Sequence, residues 1–173
     1  MQTVIKITDK AKQDALEYKN KILSLGIQDQ RDYNPESNYI GYLGEWVFNE
    51  FLETCNLKDK VKWSRDANGE ADKGDFFFGG KIIDIKTASK SFHIKLMMPC
   101  DQFLKHHRDF YVAIKILDGV GEIKGYATRD DLKKVTPANF GFDPSLAINH
   151  TRLKPIKELI EQEILKKWEK KNE

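Results

Sequence analysis

Apolar positions along the first third of the chain recur at helical spacing. Between Asp9 and Leu25 they fall at Ala11, Ala15, Tyr18, Ile22 and Leu25, and Gly26 follows as a stop. A polar connection, "IQDQRDYNP", leads to Asn34-Pro35, a pair suited to open a second helix. That helix, about 35 to 55, is apolar over most of its circumference, which predicts burial on more than one side. The period then changes. "VKWS" (61–64) is short and β-prone, and the polar loop "RDANGEADKG" follows it. "DFFF" and "KIIDIKT" are joined through Gly79-Gly80, a two-residue link that predicts a hairpin. A short helix entered at Pro99 is expected within 97–107. A second hairpin is expected from "FYVAIKIL" (110–117) and "EIKGYAT" (122–128), across "DGVG". Thr128 is placed to N-cap a short helix, and "PANFGFDPSLAINH" reads as irregular. The tail from Lys154 to Lys170 predicts an amphipathic helix with Ile156, Ile160, Ile164 and Trp168 on one face.

This order predicts one α/β (α+β) domain over residues 1–173, with a mixed sheet of about five strands flanked by helices. The length suits one compact core rather than two. Composition agrees: 40% hydrophobic and 32% charged residues describe a globular chain rather than a disordered one. No apolar run approaches the ~18 residues needed to span a bilayer. The start, "MQTVIKITDKAKQD", lacks the apolar core of a secretory signal. Cys55 and Cys100 show no C-x-x-C spacing, so they are read as free thiols and a cytoplasmic protein is expected.

A net charge of +2 does not by itself announce a nucleic-acid partner. Its distribution adds something. Lys86, Lys90, Lys95, Lys105 and Arg108 face only Asp101 within their segment, and His93, His106 and His107 share it. A solvated surface with lysines for solubility is the plain alternative.

Candidate chemistry gathers on the first hairpin. Alternation along "KIIDIKT" sends Asp84 and Lys86 to one face, ~7 Å apart along the strand. Asp75 opens the preceding strand, and the glycine turn folds it back, so two carboxylates converge beside an ammonium. Converging carboxylates repel unless a cation lies between them or one keeps its proton. Mg²⁺ prefers a few carboxylates plus waters and a substrate phosphate, and a lysine nearby can orient or deprotonate a water or stabilise negative charge. The D/E-x-K pattern alone means little, since Glu122-Ile123-Lys124 and Asp131-Leu132-Lys133 repeat it. Only Asp84-Ile85-Lys86 has an aspartate set by a hairpin upstream. A strand with one solvated polar face is the competing reading.

Glu45 is the second anomaly, an acid among Tyr42, Leu43, Trp46, Val47 and Phe48 on the second helix. A charge in such a surface needs a partner, unless it lies with Asn49 on a narrow solvent stripe. Gly41 and Gly44 each cost the helix ~1 kcal/mol relative to alanine, which suits close approach to another backbone.

Together these residues resemble the PD-(D/E)xK nuclease superfamily, with its restriction-endonuclease-like fold. "GYLGEWVFNEF" is similar to its helical-glutamate motif, and "GDFFFGGKIIDIKT" to the aspartate and D/E-x-K motifs on consecutive strands. The glutamate arrangement is closest to Holliday-junction resolvases, lambda-type exonucleases and small phage or prophage nucleases. The likeness covers roughly 36–133. It implies that Asp75 and Asp84 bind Mg²⁺, with Mn²⁺ able to substitute, helped by the backbone carbonyl of Ile85. It implies that Lys86 assists the water and that Glu45 holds the metal or a water on it. Two positions depart from the commonest pattern: residue 74 is Gly rather than Pro, and residue 84 is Asp rather than Glu.

The function expected is a metal-dependent DNA endonuclease of a bacterial or phage-infected cell, cleaving by water attack to leave a 5′-phosphate. Lys90, Ser91, His93, Lys95, Lys105 and Arg108 would contact the nucleic acid, since phosphate contacts mostly position a substrate. Two alternatives are an inactive binding module on the same fold and an RNA-directed nuclease. Adjacent His106 and His107 point ~100° apart on a helix, a poor geometry for one metal. The isoleucine stripe of the tail is read as core packing rather than a dimer seam, with a homodimer left open because symmetric DNA cutters are commonly dimers.

Overall fold

A computed structural model describes residues 1–26, 35–64, 74–141 and 143–166. Strand β1 (Val4–Lys6) leads into helix α1 (Asp9–Ser24), whose first turn is capped by the Thr8 hydroxyl accepting from the Ala11 N–H. Helix α2 (Pro35–Thr54) follows, then β2 (Lys62–Trp63), β3 (Phe76–Phe78) and β4 (Lys81–Ala88). Next come β5 (Lys95–Pro99), α3 (Cys100–Lys105), β6 (Phe110–Leu117), β7 (Val120–Thr128) and α4 (Arg129–Lys133). Strand β8 (Ser145–Asn149) and a 3₁₀ turn (His150–Arg152) lead to α5 (Ile156–Glu158), which continues as a π-helical stretch, Leu159–Leu165.

Six strands form one mixed sheet in the order β1-β7-β6-β4-β3-β2. Only β4 and β6 run parallel, and the chain between them passes through β5 and α3. The remaining pair, β5 and β8, makes a separate antiparallel ribbon. Alternation divides the sheet's side chains between two cores. Ile83 and Ile85 of β4 and Phe110, Val112 and Ile114 of β6 pack with Leu43, Val47, Phe48, Phe51 and Leu52 of α2. The C-terminal residues Ile156, Leu159, Ile160 and Ile164 join that core, so the predicted stripe is packed inside the chain itself; Trp168 lies outside the described residues. Tyr111 and Ala113 face the other way, against Leu96, Met98, Phe103, Leu132 and Leu146 of the ribbon, α3 and α4.

Several expectations need correction. Among the described residues the mixed sheet has six strands, not about five, and a separate two-stranded ribbon was not expected. Met97, Met98 and Pro99 belong to β5 rather than to a helix, which starts at Cys100. Proline is tolerated there because it closes one strand of a two-stranded ribbon. The supposedly irregular segment after Pro137 supplies β8, whose partner lies some fifty residues upstream and leaves no local trace. Strand β7 begins two residues early, so the second turn is only Asp118-Gly119. No helix among the described residues is long and apolar enough to cross a membrane.

Candidate functional site

The Gly79-Gly80 turn has φ of +49° and +77°, the left-handed pair of a type I′ loop. It sets the register Phe78↔Lys81, Phe77↔Ile82 and Phe76↔Ile83. The next rung brings Asp75 to Asp84. Strand β3 has ended there, and the Asp75 N–H donates to the Ile83 carbonyl at 3.1 Å. Its side chain continues the edge: Asp75 Oδ2 accepts from the Ile85 N–H at 2.6 Å. Because a strand residue turns its N–H and C=O to the same side, the Ile85 carbonyl faces this edge too.

Gly74 has φ of +113°. Proline, locked near −65°, cannot adopt it. A Cβ there would lie 2.2 Å from Ile82 Cγ2, so other side chains are excluded as well. Glycine rather than proline at residue 74 therefore has a backbone cause.

Asp84 is only 9% exposed, which removes the solvated-strand reading. Lys86 Nζ lies 2.6 Å from its Oδ2, and Arg108 Nε lies 3.7 Å from its Oδ1. Arg108 is buried, donating from Nη1 to the His107 carbonyl at 2.9 Å. That corrects its expected place among surface cations: it compensates Asp84 from within.

Glu45 reaches the same region from α2. Its Oε2 accepts from the Trp63 indole N–H at 2.7 Å. Trp63 is in turn stacked on Phe76, with centroids 5.8 Å apart and planes 12° from parallel, and meets Tyr42 edge-on at 6.0 Å. The sequence asked for a partner for Glu45, but nothing local pointed to Trp63, 18 residues away. Asn49 is buried, so it marks no solvent stripe. Gly44 explains the depth of the helix: a Cβ there would fall 1.8 Å from Thr87 Oγ1 on β4. Gly41 has nothing within 4 Å, so the close-approach argument fails for it.

The electrostatics join these groups. Burial, then the charges of Glu45 and Asp84, hold the Asp75 carboxyl well above the ordinary aspartate range, against the Ile85 N–H and Lys86. Burial works to lower the Lys86 pKa, but Asp84 and Asp75 outweigh it, and the ammonium form is favoured. Tyr111, fully buried beside them, is pushed up by burial, with Asp84 adding to the shift and Arg129 opposing it. Asp75 thus feels the charges of both Glu45 and Asp84, with Lys86 opposing them. Among the described residues, no three His, Cys, Asp or Glu side chains form a ready-made metal cluster.

The basic segment divides. Lys90, Ser91, His93 and Lys95 are exposed on the connection from β4 into β5, and Lys105 is exposed at the end of α3. Lys95 Nζ lies 4.9 Å from the Phe140 ring centroid, and Ser91 O accepts from Lys115 Nζ at 2.7 Å. His106 and His107 serve different neighbours: the His106 carbonyl accepts from Arg129, while His107 Nε2 sits 3.5 Å from Asp109. Cys55 and Cys100 are free, half-buried thiols.

Comparison with protein-family models, with curated proteins and with solved structures returned no match to this chain.

Proposed function

We propose that the protein is a metal-dependent endonuclease of the PD-(D/E)xK type, hydrolysing phosphodiester bonds of DNA. The observation that carries this reading is that the charges of Glu45 and Asp84 both bear on Asp75, with Lys86 against Asp84, at the point where β3 leaves β4. A protein holding three acids close enough to push one of them up gives away stability. A divalent cation recovers it, and carboxylates with a backbone carbonyl are oxygen donors of the kind Mg²⁺ takes.

Asp75, Asp84, the Ile85 carbonyl and Glu45 are the residues that would hold Mg²⁺ or Mn²⁺. Such a cation supplies a more acidic water and offsets charge developing on the phosphorus oxygens. The protein's own groups divide the remaining work. The Ile85 N–H fixes Asp75, and Trp63 fixes Glu45. Lys86, favoured as an ammonium, suits charge stabilisation on the phosphate better than proton abstraction. Water adds to phosphorus, the bond to the 3′-oxygen breaks, and that oxygen leaves with a proton. Exposed Lys90 and Lys95, downstream on the same chain segment, would hold flanking phosphates.

One observation favours a second reading, an inactive nucleic-acid-binding module. Asp84 already has two cations beside it, Lys86 and buried Arg108, so its charge is compensated without a metal. The deciding assay incubates the protein with supercoiled plasmid, linear duplex, a four-way junction, single-stranded DNA and RNA, each with Mg²⁺, Mn²⁺ or EDTA. Metal-dependent cleavage of DNA supports the nuclease. Binding without cleavage under every metal condition supports the module, and cleavage confined to RNA transfers the activity to that substrate.

A further inference from the structure

The turn between β4 and β5 carries an aromatic ring that neither core uses. Phe92 is 73% exposed, and Ile94 beside it is 49% exposed. The turn is nonetheless defined. The His93 N–H donates to the Lys90 carbonyl at 3.1 Å, closing it. Lys115 Nζ, donating to the Ser91 carbonyl at 2.7 Å, ties it to β6. The His93 ring stands edge-on to Phe92, with centroids 4.7 Å apart and planes at 78°. One phenyl ring is thus presented to solvent from a braced turn, and exposed Lys90 and Lys95 flank it along the chain.

An exposed aromatic between cations is the arrangement that takes a nucleobase on the ring while the cations hold adjoining phosphates. Continuity with the candidate site points the same way. Phe92 stands six residues beyond Lys86, so the chain keeps their Cα atoms within about 20 Å. That distance is covered by roughly six nucleotides at ~3.4 Å per stacked step. Bases inside a duplex do not offer their faces to a side chain. We propose that Phe92 is a base-stacking residue, and that the turn around it grips an unpaired nucleobase of a DNA strand whose phosphates lie along Lys90 and Lys95. The inference rests on the nuclease reading and narrows its substrate to DNA with unpaired bases. An anionic lipid surface is the rival occupant of an aromatic flanked by lysines.

The test is fluorescence anisotropy in EDTA, using labelled oligo-dT and a labelled blunt duplex, with phosphatidylserine vesicles as a separate arm. Phe92 is on the surface, so Phe92→Ala leaves the fold intact. It is expected to weaken oligo-dT binding about 10- to 100-fold, with duplex affinity and the salt dependence of binding unchanged. Phe92→Trp is expected to restore affinity, with the added indole emission quenched on binding. A loss under about twofold in Phe92→Ala overturns the proposal, since a stacked base contributes more than that. So does Phe92-dependent binding to vesicles with no binding of oligo-dT. Cleavage with Mg²⁺, measured on the same preparations, separates the two ideas. Phe92-dependent binding without cleavage sinks the nuclease and leaves the stacking site standing; cleavage with Phe92-independent binding does the reverse.

Discussion

Two hairpins, β3–β4 and β6–β7, turn through two-residue loops whose central residues all have positive φ: Gly79 and Gly80 in one, Asp118 and Gly119 in the other. Each carries an acid two positions before a lysine, and in each the pair is in contact. Lys86 lies 2.6 Å from Asp84, and Lys124 lies 2.8 Å from Glu122. Helix α2 seats on both, through Gly44 against Thr87 in the first and Val47 against Gly121 in the second. The surroundings differ. The Asp84 side chain is 12% exposed, with Lys86 and Arg108 against it and Asp75 near it, and Asp75 in turn feels Glu45. The Glu122 side chain is 47% exposed, and β1 lies beside it, pairing Val4 with Glu122. An acid-x-lysine pair on a strand is therefore only an ion pair until other buried acids are brought to it. Burial removes the water that would otherwise screen their repulsion.

The largest expected effect breaks the comparison directly. Asp84→Asn keeps the side chain's shape and loses its charge, so cleavage should vanish and calorimetric Mg²⁺ affinity fall. Lys86→Ala should lower cleavage by on the order of 10²-fold or more while Mg²⁺ affinity holds or rises. Glu122→Gln and Lys124→Ala should leave plasmid nicking within about twofold of wild type. Equal losses from both hairpins, or full activity in folded Asp84→Asn and Lys86→Ala, would sink the assignment to the first.

Metal should next distinguish the hairpins through stability. Asp75's folded pKa lies above its unfolded one. The stability it contributes is therefore full below the ordinary aspartate value of about 3.9 and is lost as pH rises through the folded value. At neutral pH the metal-free protein carries that loss. Asp75→Asn should raise the metal-free Tm there, since the amide oxygen still accepts from the Ile85 N–H. Mg²⁺ at a hundredfold above its Kd should stabilise wild type by about 2.7 kcal/mol, or roughly 5–10 °C for a chain of this size. The same Mg²⁺ shift in Asp75→Asn as in wild type would place the cation elsewhere.

The two seats of α2 should respond alike in stability and differently in function. Gly44→Ala and Gly121→Ala each force a Cβ into packed atoms, at 1.8 Å from Thr87 Oγ1 and 2.4 Å from Val47 Cγ2. Each should cost about 1–3 kcal/mol in urea unfolding. Only Gly44→Ala, next to Glu45, should also weaken Mg²⁺ binding. Matched metal affinities in the two variants would mean that Glu45 takes no part.

A smaller effect belongs to His150, in the 3₁₀ turn, on which the second hairpin's lysines act. His150 is buried, and burial, then Lys115 and Lys124 of β6 and β7, lower its pKa. A depressed folded value means stability present above the ordinary histidine value of about 6.5 and lost as pH falls through the folded one. Thermal melts taken down from pH 7 should show that loss, and His150→Gln should flatten it. An unaltered slope in the variant would assign the acid sensitivity to other groups.

Local signals in the sequence were enough for α1, α2 and the presence of both hairpins. Ala11 and Ala15, the apolar girth of α2, and the two turns before Lys81 and Val120 are contacts of near neighbours, and their period survives in one dimension. Alternation likewise set Asp84 and Lys86 on one face. The ribbon of β5 and β8 was not legible, because each strand is defined by a partner far along the chain. Tertiary structure alone decided three matters at the candidate site. It buried Arg108 against Asp84, although the sequence listed it with surface lysines only by proximity. It gave Glu45 the Trp63 indole, and it gave Gly74 a backbone angle closed to proline. Residue type and spacing determine which groups a hairpin can present. Whether those groups share a charge depends on what folds over them, and that is a property of distance and burial in three dimensions.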